Sequence, residues 1–171
     1  MEWYAHSLDG PASDWEQLDV HLHQVSELAA EFGRAFQCEN LARLAGLWHD
    51  VGKYHPDFQQ KLHGARVQIE HAGAGALLAY ERRCVELLPV VFAIAGHHAG
   101  LSNLQSNASA EAAGAPDTSR RPLKERLAAN QPLLDVIRDV IPSCVLNAPF
   151  TPAQTDRTHT LDTEARSRGF E

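Results

Sequence analysis

The sequence predicts an all-α domain with a metal site in its core, on three observations. Apolar residues recur at alternating steps of four and three (Leu18, Leu22, Val25, Ala29, Phe32, Phe36), the period of an amphipathic helix over 15–36. Two stretches, 41–51 and 90–98, are apolar on nearly every side and end in metal-ligating side chains, His49-Asp50 and His97-His98. There are also ten histidines in 171 residues, and no segment reads as a convincing strand.

The first fourteen residues are polar and turn-rich (Asp9-Gly10-Pro11, Ser13-Asp14). They read as an irregular arm, with Asp14 as N-cap of the first helix. On that helix His21 borders the apolar stripe and faces inward, whereas His23 faces out. Asn40 can cap the second helix. Its Gly46 allows close approach by a neighbour, and Gly52 is a natural stop. Pro56 opens a short helix, 56–62. His71 stands before Ala72-Gly73-Ala74-Gly75-Ala76, where small residues on one face predict a helix packed very close to a partner. Pro89 suits the first turn of the helix that ends in His97-His98. Residues 99–119, rich in Ala, Ser, Asn and Gly, read as a long mobile loop. Short helices follow over 122–129 and 132–141. Residues 1–142 form the core, and 143–171 a partly irregular C-terminal segment.

Composition bounds the function. Hydrophobic content of 44% and charged content of 22% are those of an ordinary globular domain. No signal peptide or membrane-length apolar run is read, and Cys38, Cys84 and Cys144 are odd in number and far apart, so a cytoplasmic location with structural thiols is expected. The formal charge of −7 argues against a protein that coats nucleic acid, but not against an enzyme that holds a phosphodiester through metal ions.

The inward histidines and acids are His21, His49, Asp50, His71, His97 and His98, in groups about 20 to 30 residues apart. One or two ligands per helix is how a helical bundle builds a metal site. Five imidazoles and a carboxylate exceed one tetrahedral zinc, whereas two metals bridged by Asp50 would use them all. Two ions ~3.5–4 Å apart can activate water and stabilise both oxygens of an in-line phosphoryl displacement. His6, His23, His55, His63 and His159 are read as surface or loop residues. Lys53 is either a solvated helix-end charge or a phosphate contact. Arg82-Arg83 and Arg120-Arg121 are solvated, or else the candidates for nucleic-acid backbone contact.

Several motifs carry a resemblance. They are Tyr4-Ala5-His6-Ser7, Trp15 through Val25, Ala45-Gly46-Leu47-Trp48-His49-Asp50-Val51-Gly52-Lys53, Phe58-Gln59, His71-Ala72-Gly73-Ala74-Gly75-Ala76 and Gly96-His97-His98-Ala99-Gly100-Leu101. In this order the chain resembles the His-Asp metal-dependent phosphohydrolases. Within them it is similar to the HD nuclease domain of the helicase–nuclease of type I CRISPR interference. The resemblance implies one metal on His21, His49 and Asp50, and a second on Asp50, His71, His97 and His98. It implies a catalytic role for Asp50 and Lys53, and cleavage of single-stranded DNA, as an endonuclease and also as a 3'-5' exonuclease. The metals it implies are two divalent transition-metal ions (manganese, nickel, cobalt or iron, with magnesium as an alternative). The partners it implies are a CRISPR helicase motor, fused or separate, and an RNA-guided surveillance complex.

One departure stands out. The family pattern Ser-Cys-Leu-Val-Asp-Ala-Asp-Phe is here Ser143-Cys144-Val145-Leu146-Asn147-Ala148-Pro149-Phe150, and both acids are gone. Asp156, or else Asp162, is the candidate substitute ligand. The helicase motor is absent from this chain, which is expected to be a stand-alone nuclease subunit or a truncated product. Two rival readings follow: a nucleotide phosphohydrolase of the same superfamily, and a degenerate module that binds a partner protein.

Overall fold

Small residues decide how the first two helices meet. In the computed structural model, which describes residues 2–98, 100–101 and 122–150, α1 spans Leu18–Arg34 and α2 spans Glu39–Trp48. The buried face of α1 is Leu18, Leu22, Ser26, Ala30 and Gly33. A Cβ on Gly46 of α2 would lie 2.7 Å from the carbonyl oxygen of Val25, and one on Gly33 would lie 2.7 Å from Cβ of Ala42. The helices therefore cross at backbone distance. The apolar stripe expected on α1 holds at Leu18 and Leu22, is half-buried at Val25 and Ala29, and fails at its C-terminal end. Leu28, Phe32 and Phe36 are exposed, Phe32 at 68%. Close approach selects small side chains, and hydrophobic periodicity cannot see a face made of Ser, Ala and Gly.

The N-terminal arm is irregular only in part. Tyr4–His6 (β1) pairs antiparallel with Glu16–Gln17 (β2), with His6 opposite Glu16. The expectation of no strand is thus corrected, as is Asp14 in the N-cap role. Asp14 closes a single 3-10 turn, and extended Gln17 precedes α1 with no side-chain cap. Two strands this short are not stable alone. Buried Gln59 clamps them to the rest: its Oε1 accepts from Tyr4 N at 3.0 Å, and its Nε2 donates to the carbonyls of Tyr4 (3.0 Å) and Lys53 (2.8 Å).

After α2 the chain makes a 3-10 turn, Val51–Tyr54, then α3, Pro56–Leu62. His55 caps α3 through its Nδ1, which accepts from Asp57 N. Next come α4, Ala72–Glu81, whose residues Ala72 to Ala79 are all buried, and α5, Leu88–Gly96. The remaining described helices are α6, Leu123–Ala129, α7, Gln131–Ile137, and α8, Ser143–Leu146. The close packing read from the glycines of α4 is present, since a Cβ on Gly75 would overlap the carbonyl of Trp48. Gly52 acts differently from a helix stop. The helix has ended at Trp48, and what Gly52 supplies is room for the backbone of His71. No helix of the described residues is long and apolar enough to cross a membrane.

Trp48 ties these layers together. It is fully buried, and its Nε1 donates to the carbonyl of Val145 at 2.8 Å. Trp48→Phe removes that donor and leaves both a cavity and a buried carbonyl without its partner. The expected loss is about 2–4 kcal/mol in a urea unfolding curve, with the slope unchanged.

Candidate metal centre

The chain bends at the His-Asp pair, and the bend makes the site. His49 keeps helical angles, but Asp50 leaves them at φ −118°, ψ 17°. Neighbours on a continuous helix would point about 100° apart. Here both side chains converge, with His49 Nε2 3.1 Å from Asp50 Oδ2. The two oxygens of Asp50 then face two groups. Oδ2 lies 3.5 Å from His21 Nε2 on α1 and 3.1 Å from His49 Nε2. Oδ1 lies 3.4 Å from His71 Nε2, ahead of α4, and 3.7 Å from His97 Nε2, at the end of α5. His98 joins the second group, with its Nε2 3.1 Å from that of His71. The structure thus brings His21, His49, Asp50, His71, His97 and His98 together. The ligand atoms of His21, His49 and Asp50 lie within 4.8 Å of one another, as do those of Asp50, His71, His97 and His98.

The imidazoles are oriented from behind. His49 Nδ1 donates to the carbonyl of Gly46 at 2.7 Å, and His97 Nδ1 to that of Ile94 at 2.6 Å. His21 Nδ1 donates to Glu16 Oε2 at 3.1 Å. A neutral imidazole with its proton on Nδ1 presents a lone pair at Nε2, the atom that faces Asp50 in all three. Two atoms of the cluster, His21 Nε2 and Asp50 Oδ1, are buried without a hydrogen-bond partner. Buried polar atoms are rarely left so. A divalent ion beside each Asp50 oxygen would satisfy them, and the nitrogen–carboxylate donor set suits a transition metal.

The electrostatics agree. Burial opposes ionisation of Asp50, but the imidazoles of His21, His49, His71 and His97 that face it outweigh burial and hold the carboxyl far below the usual carboxylate range. Burial works against a charged His97, yet the nearby Asp50 carboxylate and the hydrogen bond to the Ile94 carbonyl outweigh it and raise its pKa. Protons therefore compete with metal at His97 while Asp50 stays ionised. Metal affinity is expected to fall as pH falls from 8 to 6, by up to about tenfold per unit for each proton displaced. Competition titrations with a chelator at three pH values check this.

Lys53 is neither solvated nor at a free helix end. It is buried, with Nζ 2.7 Å from Asp50 Oδ2 and 3.0 Å from the carbonyl of Ala5. Arg82 and Arg83 follow the far end of α4 from His71, roughly 15 Å away for a ten-residue helix. Arg82 lies over the Trp48 ring and donates to the carbonyl of Leu146. Arg83 lines a cleft with Tyr80, Val85 and Lys124. Arg120, Arg121, Asp156 and Asp162 lie outside the described residues, as do His159 and the 102–119 part of the expected loop. Asn147 is exposed and donates to Ser143 Oγ at 3.2 Å. Sequence reasoning passed over Glu16, because a helix begun at residue 15 would turn it away from His21.

The described residues thus gather five histidines around one buried aspartate, a donor set that could hold divalent metal ions. The family model described as HD domain matches residues 18–141, and the chain belongs to that family, whose members are generally metal-dependent phosphohydrolases. No curated protein matches the chain.

Proposed function

We propose that this chain is a two-metal nuclease that cleaves single-stranded DNA as part of type I CRISPR interference. The observation that carries the two-ion reading is the division of labour at Asp50. One oxygen faces His21 and His49, the other His71 and His97, with His98 alongside. When bound, the ions supply an activated water and stabilise the charge that develops on the phosphate. The chain's residues do the rest. The imidazoles of His21, His49 and His97 are held in one tautomer, Asp50 would hold an ion at each of its oxygens, and Lys53 offsets the buried negative charge of Asp50. What supports DNA over a free nucleotide is the run Gly96-His97-His98-Ala99-Gly100 after Phe58-Gln59, the order in which the chain resembles the CRISPR-associated nucleases. A helicase motor and an RNA-guided surveillance complex are the partners this reading implies.

A second reading has one observation in its favour. Among the described residues the first group offers three ligand residues, His21, His49 and Asp50, and Asn147 and Pro149 stand where the family pattern has acids. That favours a non-catalytic module that binds a partner protein. The test is metal-stripped protein on circular single-stranded DNA with manganese or nickel, alongside free nucleotides. Metal-dependent opening of the circle supports the nuclease. Turnover of nucleotides alone supports a small-molecule phosphohydrolase. No turnover of either supports the binding module.

A further inference from the structure

His21 differs from the other oriented ligands in what holds it. His49 and His97 lean on main-chain carbonyls three residues back, which the helix supplies wherever it ends. His21 leans on a carboxylate: Glu16 Oε2 lies 3.1 Å from its Nδ1, and both side chains are partly shielded, at 13% and 34% exposure. Glu16 sits in β2, opposite His6 of β1, and the His6 ring meets the His21 ring edge-on at 5.0 Å. The ribbon is in turn pinned by Gln59 to the carbonyl of Lys53. One short strand thus delivers an anion to the back of a single imidazole.

We infer that Glu16 is a positioning residue for the metal held by His21, His49 and Asp50, acting through the Nδ1 proton of His21. This rests on the two-ion reading above. Among the described residues the cluster has one carboxylate, Asp50, to set against two divalent ions, and the first group has the fewer ligands. A carboxylate behind a ligating histidine fixes the ring and raises its basicity, and removing such a partner costs metal affinity. Glu16 therefore supplies negative charge to the poorer half of the centre without entering it.

The rival use of the same atoms is a separate ion held by His6, Glu16 and His21, whose ligand atoms also lie within 4.8 Å of one another. That ion would need the Nδ1 lone pair of His21 while Nε2 serves the other metal, so the ring would have to lose both its protons. A neutral imidazole has one N–H and one lone pair, which match Glu16 and the metal respectively.

The test compares wild type with Glu16→Ala and Glu16→Gln by titration of the metal-stripped chain with manganese, and by nitrogen-15 NMR of the zinc-loaded protein. In wild type, two equivalents bind and the His21 ring shows a hydrogen-bonded N–H at Nδ1. In Glu16→Ala, one equivalent weakens by about 10- to 100-fold while the other is unchanged, and that N–H loses its protection. In Glu16→Gln, whose amide oxygen can still accept, the N–H is retained and part of the affinity returns. Two undisturbed equivalents in Glu16→Ala overturn the inference, as does a third equivalent in wild type that the variant lacks. Equal weakening of both equivalents overturns it too, since that signals general loss of structure. Wild type that binds fewer than two ions contradicts the two-ion reading itself, so the two failures are read from different samples.

Discussion

Asp50→Asn is expected to bind neither of the two proposed ions and to lose the proposed nuclease activity by about a thousandfold or more. The change keeps the shape and removes the charge that both histidine groups share. Stabilisation by metal is worth several kcal/mol of barrier, and about 1.4 kcal/mol is tenfold in rate, so the loss follows from the ions alone. The variant should also be less stable, because Lys53 keeps only the carbonyl of Ala5 and an amide in place of its counter-charge. Breaking a buried pair on one side costs about 3–5 kcal/mol. The double variant Asp50→Asn/Lys53→Met removes both charges. It should recover much of that stability and none of the metal binding or activity. A double variant that recovered activity would show that Asp50 matters for folding alone.

Gly75→Ala and Gly52→Ala are expected to be the most damaging single-methyl additions in the described fold. At Gly75 the new Cβ overlaps the carbonyl of Trp48, and at Gly52 it overlaps the carbonyl of His71. Both obstacles are backbone, so no rotamer change relieves them. The helix must move, at a cost of about 3 kcal/mol or more. A domain of this size has about 5–15 kcal/mol in all, so thermal melts should shift by many degrees. The two positions differ in what they displace. Gly75→Ala pushes α4 off the end of α2. Gly52→Ala pushes on His71 itself, so its metal affinity should fall in the group of Asp50, His71, His97 and His98, beyond what its stability loss explains. Metal titration beside a denaturation curve separates the effects.

The site was more legible than the packing around it. His21, His49, Asp50, His71, His97 and His98 stand out because histidine and aspartate are rarely placed on apolar helix faces, and the structure gathers all six. Helix positions marked by proline were also readable, such as α3 at Pro56–Leu62. What sequence could not supply is geometry that depends on two elements at once. The face of α1 turns with α2, because Gly33, Gly46 and Ala42 let backbones touch, and that leaves Phe32 and Phe36 outside. The ribbon of β1 and β2 exists through Gln59, more than forty residues away. The role of Lys53 depends on where Asp50 points after the helix ends, which local periodicity does not encode.

The most direct test of two-ion binding at Asp50 is anomalous diffraction from crystals of the chain soaked in manganese. Two peaks flanking Asp50 are expected, one beside Oδ2 with His21 and His49, the other beside Oδ1 with His71, His97 and His98. A single peak, or a peak on the His6 side of His21 in place of these, would contradict two-ion binding there.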